Sequence, residues 1–235
     1  NGDLDTTALA TFVGSNNGYV SKIYDQSGSG RHLTQTNTAS QPSIVKVGAL
    51  QTLNGKPALF FDGSNDSIGA ASTFAPNPND DFALATVFST TSIGSTAQFI
   101  VNSWGTSASL QNFQAAVLNN SKARVGYRYD NNAFPRNDTT STISTATQYI
   151  LTAHYSRGSA LAYWNGSEEL GKFSQTISNA DPRTVNTGFR IGARSTDNAL
   201  PLNGKWQETV IWSQHNQDHD VEEISGEIND YYGAY

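Results

Sequence analysis

Leu161-Ala162-Tyr163-Trp164-Asn165-Gly166-Ser167-Glu168-Glu169-Leu170-Gly171-Lys172-Phe173 is the stretch whose reading decides the fold class. An apolar, aromatic run reaches Asn165-Gly166 and a second run leaves it. Asn-Gly favours the positive φ angles of a type I′ turn, whose twist matches that of a β-hairpin. The same dipeptide recurs at Asn54-Gly55 and Asn203-Gly204, so hairpin turns are expected there too.

Outward from this hairpin, period-two patterns dominate and predict strands over Val20–Asp25, Ala58–Asp62, Phe82–Ser89, Gln98–Asn102, Gln114–Leu118, Ala123–Tyr129, Tyr149–Tyr155, Ala160–Trp164, Gly188–Ala193 and Lys205–Trp212. Two segments change period. Leu4, Leu9, Phe12 and Val13 share one helical face, with Asp5 as N-cap and Gly14 as stop. Val221, Ile224, Ile228 and Tyr231 recur at helical spacing, with Asp218 or Asp220 as cap and Gly233 past the end. The expectation is an all-β, two-sheet antiparallel jelly-roll sandwich with a short N-terminal and a C-terminal helix. No linker or long-period repeat divides it, so residues 1–235 read as one domain.

Composition agrees. Charged residues make up 14% of the chain, and 11 Phe, 10 Tyr and 4 Trp are spread widely enough to fill a core. No run approaches the length of a membrane span. Asn1 opens mid-pattern, as expected of a mature or excised domain rather than a natural start. A net charge of −6, with 14 Lys and Arg among 20 acids, offers no basic stripe for nucleic acid. Cysteine is absent, which rules out disulfides, thiol catalysis and Cys-metal sites.

Several groups of residues carry chemistry. His215 and His219 have a spacing that can share a metal on a helix, but they supply too few ligands and lack the Glu of a zinc-protease motif. The Asp62-Gly63-Ser64-Asn65-Asp66 loop offers Ca²⁺ ligands at Asp62, Asn65 and Asp66. The same residues suit a tight turn, in which Asp and Asn bond their own backbone; no metal site is assigned. In Tyr24-Asp25-Gln26-Ser27-Gly28-Ser29-Gly30, Asp25 and Gln26 can tie a loop to the backbone or present planar acceptors and donors to a polyol. Glu208 alternates with Trp206, Val210 and Trp212, so its carboxylate is expected either to pair with Arg190 or Arg194 or to face a site.

Ile23-Tyr24-Asp25-Gln26-Ser27-Gly28-Ser29-Gly30-Arg31-His32-Leu33-Thr34-Gln35 resembles the hallmark segment of the family-54 α-L-arabinofuranosidase catalytic domain. It is also similar to laminin-G-like jelly rolls of bacterial surface and phage proteins. In those, such a segment is followed by counterparts of Asn54-Gly55-Lys56-Pro57-Ala58 and Phe61-Asp62-Gly63-Ser64. The likeness extends through Gly204-Lys205-Trp206-Gln207-Glu208 to Asn229-Asp230-Tyr231-Tyr232-Gly233. It implies a concanavalin A-like sandwich with a concave, carbohydrate-facing sheet. It also implies positions for two catalytic carboxylates: Asp197-Asn198 matches the acid/base, and Asp130-Asn131-Asn132-Ala133-Phe134 matches the nucleophile. Both positions depart from the pattern. Ser195 and Thr196 replace two glycines, Asp130 replaces Glu, and the family disulfide has no cysteines here. A retaining pair needs carboxyls about 5–5.5 Å apart, and a shorter side chain with a misplacement of about 1 Å costs on the order of a hundredfold in rate.

The expected function is therefore carbohydrate recognition or surface display, as in an adhesin or phage virion appendage, without catalysis. Such a domain would be extracellular, on a cell or virion surface, with a glycan or polysaccharide as partner and neighbouring domains or subunits around it. Asp25, Gln26, Asn131 and Asn198 would bond hydroxyls, and Tyr127, Tyr129, Trp104 and Trp164 are candidate stacking platforms, each equally suited to the core. The alternatives are a retaining arabinofuranosidase-type hydrolase using Asp130 and Asp197, and a purely structural shell or fibre domain.

Overall fold

The structure is a computed structural model and describes residues 4–70, 82–104, 111–127, 136–156, 159–164, 167–168, 173–174, 188–194, 197, 199–213 and 217–235. Two large sheets face each other. The first runs β1 (Gly18–Tyr19), β4 (Ser43–Lys46), β8 (Leu59–Asp62), β20 (Asn203–Ser213), β10 (Phe82–Thr90), β15 (Tyr149–Ser156), β16 (Ser159–Trp164), β17 (Ser167–Glu168). Off this path, β18 (Phe173–Ser174) pairs with β16 and β5 (Ala49–Leu50) with β4. The second sheet runs β14 (Arg136–Asp138), β13 (Ala123–Tyr127), β12 (Gln111–Val117), β11 (Gln98–Trp104), β19 (Phe189–Ile191), β9 (Ile68–Ala70), β3 (Leu33–Thr34), β2 (Lys22–Ile23). A small hairpin, β6 (Thr52–Leu53) and β7 (Lys56–Pro57), stands apart. Among the described residues the strand pairings are antiparallel, as expected of an all-β sandwich.

Between the sheets lies the main core, including Leu59, Phe61, Phe82, Leu84, Phe88, Phe113, Tyr155, Phe189, Ile191 and Trp206. β10 is buried on both faces. Its Phe82, Leu84 and Phe88 enter this core, while Ala85 and Val87 meet a second cluster beneath α2 (Gln217–Tyr232). Ile224, Ile228 and Tyr232 form the helix side of that cluster. A strand covered on both sides loses its alternation, and β10 accordingly reads as a nearly continuous small-and-apolar run.

The deciding hairpin holds at its flanks. Trp164 pairs with Ser167 and Tyr163 with Glu168, although Asn165-Gly166 lies outside the described residues. Asn54-Gly55 is a turn with φ of 48° and 76°, joining β6 to β7. Asn203-Gly204 corrects the expectation of a turn. Both residues sit inside β20, where Gly204 pairs with Phe61 and Thr90. A Cβ on Gly204 would stand 2.1 Å from the Ser89 carbonyl oxygen, so close backbone approach rather than φ explains this glycine.

Both expected helices form, but the faces they bury differ from expectation. α1 (Thr6–Val13) starts at Asp5, whose carboxylate accepts the Ala8 N–H at 2.9 Å, and ends at Gly14. Of its apolar stripe only Val13 is buried; Phe12 is 89% exposed and Leu4 42%. Asp218 and Asp220 lie inside α2 rather than before it, and Tyr232, not Tyr231, packs on the sheet.

Candidate functional site

β20 builds one wall of a cleft because its pairing changes midway. β8 accompanies it only from Asn203 to Trp206. Against β10 the register slips between Val87 and Phe88, leaving Gln207 as an extra residue. This is a β-bulge, and a bulge reverses the facing of every residue beyond it. Trp206 therefore points into the core, with its indole N–H donating to Thr209 Oγ1 at 2.9 Å. Glu208, Val210 and Trp212 turn outward beneath α2 instead of sharing the Trp206 face. The Gln207 amide is spent on the β6–β7 hairpin, donating to the carbonyls of Leu53 at 3.0 Å and of Lys56 and Pro57 at 3.2 Å.

This reversal corrects the partner expected for Glu208. Arg190 lies on the outer face of the second sheet, between the inward Phe189 and Ile191, and donates to Ser67 Oγ at 3.2 Å. Arg194 pairs with Asp197. Glu208 meets the Tyr232 hydroxyl, and burial, then the charge of Glu208 and their hydrogen bond, push that phenol above its ordinary range.

The opposite wall is the loop after β2. Asp25 organises it: Oδ1 accepts the Ser27 N–H and Oδ2 the Arg31 N–H, both at 2.9 Å. The Arg31 N–H first, then the Ser27 hydroxyl and N–H, hold its carboxyl down at about 2. Gly28 and Gly30, with φ of 79° and 71°, give the loop its curl. Gln26 Nε2 donates to the Tyr24 carbonyl at 3.0 Å. The loop-tying expectation for Asp25 and Gln26 therefore describes their local bonds. Tyr24 is 60% exposed, lies edge-on to His32 at 5.0 Å between centroids, and has Lys22 Nζ 4.5 Å from its ring centre. Between the walls is a hollow of about 520 Å³, within the range of small-ligand pockets. Tyr24, Asp25, Gln26 and Arg31 line one side and Glu208, Thr209 and Tyr232 the other, with Leu33, Phe189 and Ile191 also in its lining.

Of the remaining candidates, Asp197 is described in full and three others only by their strands. β2 and β13 stand six strand spacings apart in the sheet order, roughly 29 Å at ~4.8 Å each, so the strand of Tyr127 is far from Asp25. Trp104 ends β11 and Trp164 ends β16; the side chains of these two and of Tyr127 lie outside the described residues, as do Tyr129, Asp130, Asn131, Asn198 and His215. Asp197 is on an exposed turn outside the cleft lining, accepting Arg194 Nε at 2.8 Å and the Ala199 N–H at 3.0 Å. The Arg194 guanidinium is the main reason its carboxyl sits at about 2.

The Asp62–Asp66 loop is a turn in its bonding. Asp62 Oδ1 accepts the Ser64 N–H at 2.8 Å, Asp66 Oδ2 accepts the Asp62 N–H at 3.1 Å, and Asn65 Nδ2 donates to the Ala39 carbonyl at 3.0 Å. Among the described residues no three His, Cys, Asp or Glu side chains gather as metal ligands. Burial, followed by the charge of Asp62, raises the Asp66 carboxyl to about 6. Native Asp66 thus binds more protons than the unfolded chain between pH ~4 and ~6, so stability falls as pH rises through 6. Asp66→Asn keeps an acceptor for the Asp62 N–H. It is expected to gain about 1–2 kcal/mol at pH 7.5, less than the full shift because Asp62 is exposed and screened. It should also flatten the urea-denaturation profile between pH 5 and 7.5; an unchanged slope there would contradict this account.

Neither a protein-family model nor a curated protein sequence matches this chain. Among solved structures it is similar to an arabinofuranosidase complexed with arabinofuranosyl-α-1,2-xylobiose: TM-score 0.69, 17% identity, covering 98% of this chain and 54% of that one. It is similar to Trypanosoma rangeli sialidase in complex with 2,3-difluorosialic acid at TM-score 0.61 and 11% identity, covering 83% of this chain and 29% of that one. It is also similar to the Ruminococcus gnavus IT-sialidase CBM40 bound to α2,3-sialyllactose at TM-score 0.51 and 13% identity, covering 63% and 83%. The chain spans about half of the arabinofuranosidase and under a third of the first sialidase. What these likenesses share with it is the concanavalin A-like sandwich fold.

Proposed function

We propose that this domain is a non-catalytic carbohydrate-recognition module that takes a glycan in the cleft between the Asp25 loop and the bulged β20. The observation that carries the reading is the exposed Tyr24 ring beside Asp25, Gln26, Arg31 and Glu208 in one open hollow. Sugars present C–H faces that stack on aromatic rings, and hydroxyls that need fixed planar acceptors and donors. The Asp25 carboxylate accepts two backbone N–H groups and the Ser27 hydroxyl, which leaves about one of its roughly four lone-pair sites for a ligand hydroxyl. Support also comes from the fold neighbours, among them the CBM40 bound to α2,3-sialyllactose. In this reading the module is displayed outside the cell or on a virion, within a larger assembly.

A hydrolytic reading is weaker on physical grounds. A general acid must hold its proton at working pH, whereas the ion pair with Arg194 keeps Asp197 ionised.

A glycan array followed by calorimetry tests the proposal. Binding to at least one glycan class is expected, with Tyr24→Ala weakening it on the order of tenfold or more, the cost of truncating a contact aromatic. No hydrolysis of an aryl α-L-arabinofuranoside is expected across pH 4–8. An array without hits, or binding indifferent to both Tyr24→Ala and Glu208→Gln, would overturn the recognition reading. Turnover that disappears in Asp197→Asn would replace it with the hydrolase.

A further inference from the structure

Among the described residues, the outer face of the first sheet meets α2, α1 and, at Lys205 and Gln207, the β6–β7 hairpin, and a strip on the α1 side of that hairpin carries a hollow. α2 covers Ala85, Val87 and Ile150, and Val13 of α1 packs toward Gly18 and Val45. In that strip, Tyr19 of β1 stands opposite Ser43 of β4, and Ser43 opposite Phe60 of β8. Phe60 and Asp62 face outward here, because Leu59 and Phe61 between and beside them enter the core. The strip holds a hollow of about 250 Å³, lined by these residues together with Gln41, Lys46 and Asp66. It shares no lining residue with the first cleft.

Three features define what would fit. Two aromatic side chains flank a Ser43 floor, two strand spacings or roughly 10 Å apart, room for one flat ring; Tyr19 is 55% exposed. Lys46 Nζ, also in the lining, lies 5.9 Å from the Phe60 ring centre and balances one of the two carboxylates, so with both ionised the hollow keeps one net negative charge for a single added cation. Asp62 and Asp66 bring two carboxylates to the same hollow, and Asp66 is 8% exposed. Burial and the Asp62 charge both disfavour the ionised Asp66, and a cation entering between them would offset both. A volume below the usual ligand-pocket range limits the occupant to a single small unit.

We propose that this hollow is a second binding site, selective for an amino sugar whose free ammonium meets Asp62 and Asp66 while its ring lies between Tyr19 and Phe60. The site binds the sugar unit through cation–carboxylate and ring-face contacts, so N-acetylation, which removes the charge, weakens recognition at least tenfold. It stands independently of the first cleft.

The test is calorimetry on the 235-residue protein with a fully deacetylated glucosamine tetramer and its fully N-acetylated counterpart. The glucosamine tetramer is expected to bind at least tenfold more tightly than the acetylated one. Tyr19→Ala and Asp62→Asn are each expected to weaken it at least tenfold; Asn retains the acceptor that the Ser64 N–H uses. Glu227→Gln, at an exposed acid on α2, is expected to leave it within twofold. Equal binding of the two tetramers, no binding of either, or equal loss in Glu227→Gln would overturn the proposal. So would Ca²⁺ at millimolar concentration binding the hollow and displacing the tetramer, since the site would then be a metal site. Circular dichroism of each variant separates lost binding from lost fold: a variant that unfolds is replaced by Tyr19→Ser or Asp62→Ser under the same criteria.

Discussion

Gly192→Ala is expected to destabilise the domain by about 3–4 kcal/mol, seen as a drop of roughly 10 °C in melting temperature. Two costs combine. Gly192 has φ of 86°, a region costly for any side-chain-bearing residue. A Cβ there would also stand 2.2 Å from the Phe61 ring, which is fully buried and cannot retreat without disturbing β8. The position matters because Gly192 joins the sheets at a corner. Its N–H donates to the Ile100 carbonyl at 2.9 Å, and its carbonyl accepts the Leu202 N–H at 2.7 Å just before β20. Calorimetric melting checks this, and a shift under 3 °C would show that the corner yields easily.

Phe82→Ala is expected to cost about 3–5 kcal/mol, in the range of large aromatic truncations in cores. Phe82 is 1% exposed and stacks on Tyr155 at 4.7 Å between centroids, with Phe113 at 5.6 Å. Phe113 in turn lies 6.1 Å from Phe189. Phe82 and Tyr155 belong to one sheet and Phe113 and Phe189 to the other, so this ring cluster clamps the sandwich across its thickness. Phe82→Leu, which keeps most of the volume, should cost about 1–1.5 kcal/mol. Urea denaturation separates the two, and equal losses would mean that ring geometry contributes little.

The sandwich itself was legible because long strands advertise themselves. Phe82–Thr90 and Asn203–Ser213 are rich in apolar and β-branched residues, and Val221, Ile224 and Ile228 mark a helix face. The two-residue strands at Ala49, Thr52 and Lys56 carry too few positions to show any period. Asn54-Gly55 and Asn203-Gly204 present the same letters, yet only the first adopts turn angles; the second is dictated by the Ser89 carbonyl, a neighbour remote in sequence. Gln207 illustrates the harder limit. Nothing local marks it as the extra residue of a bulge, and misreading it sends Glu208 to the wrong face and toward the wrong partner. Hence Asp25, whose carboxylate bonds stay within six residues, could be read, whereas the Glu208–Tyr232 wall could not.

The position of β20 also shapes how the chain acquires its structure. It is threaded between β8 and β10, matching Asn203 to Asp62 on one flank and Ser213 to Phe82 on the other. A polypeptide leaving the ribosome must therefore carry two unmatched strand borders until the segment from Asn203 to Ser213 has been synthesised. Such late-arriving, sequence-distant pairing slows folding and exposes sticky borders to neighbouring chains. Production at low temperature or with holding chaperones should accordingly favour soluble protein over inclusion bodies.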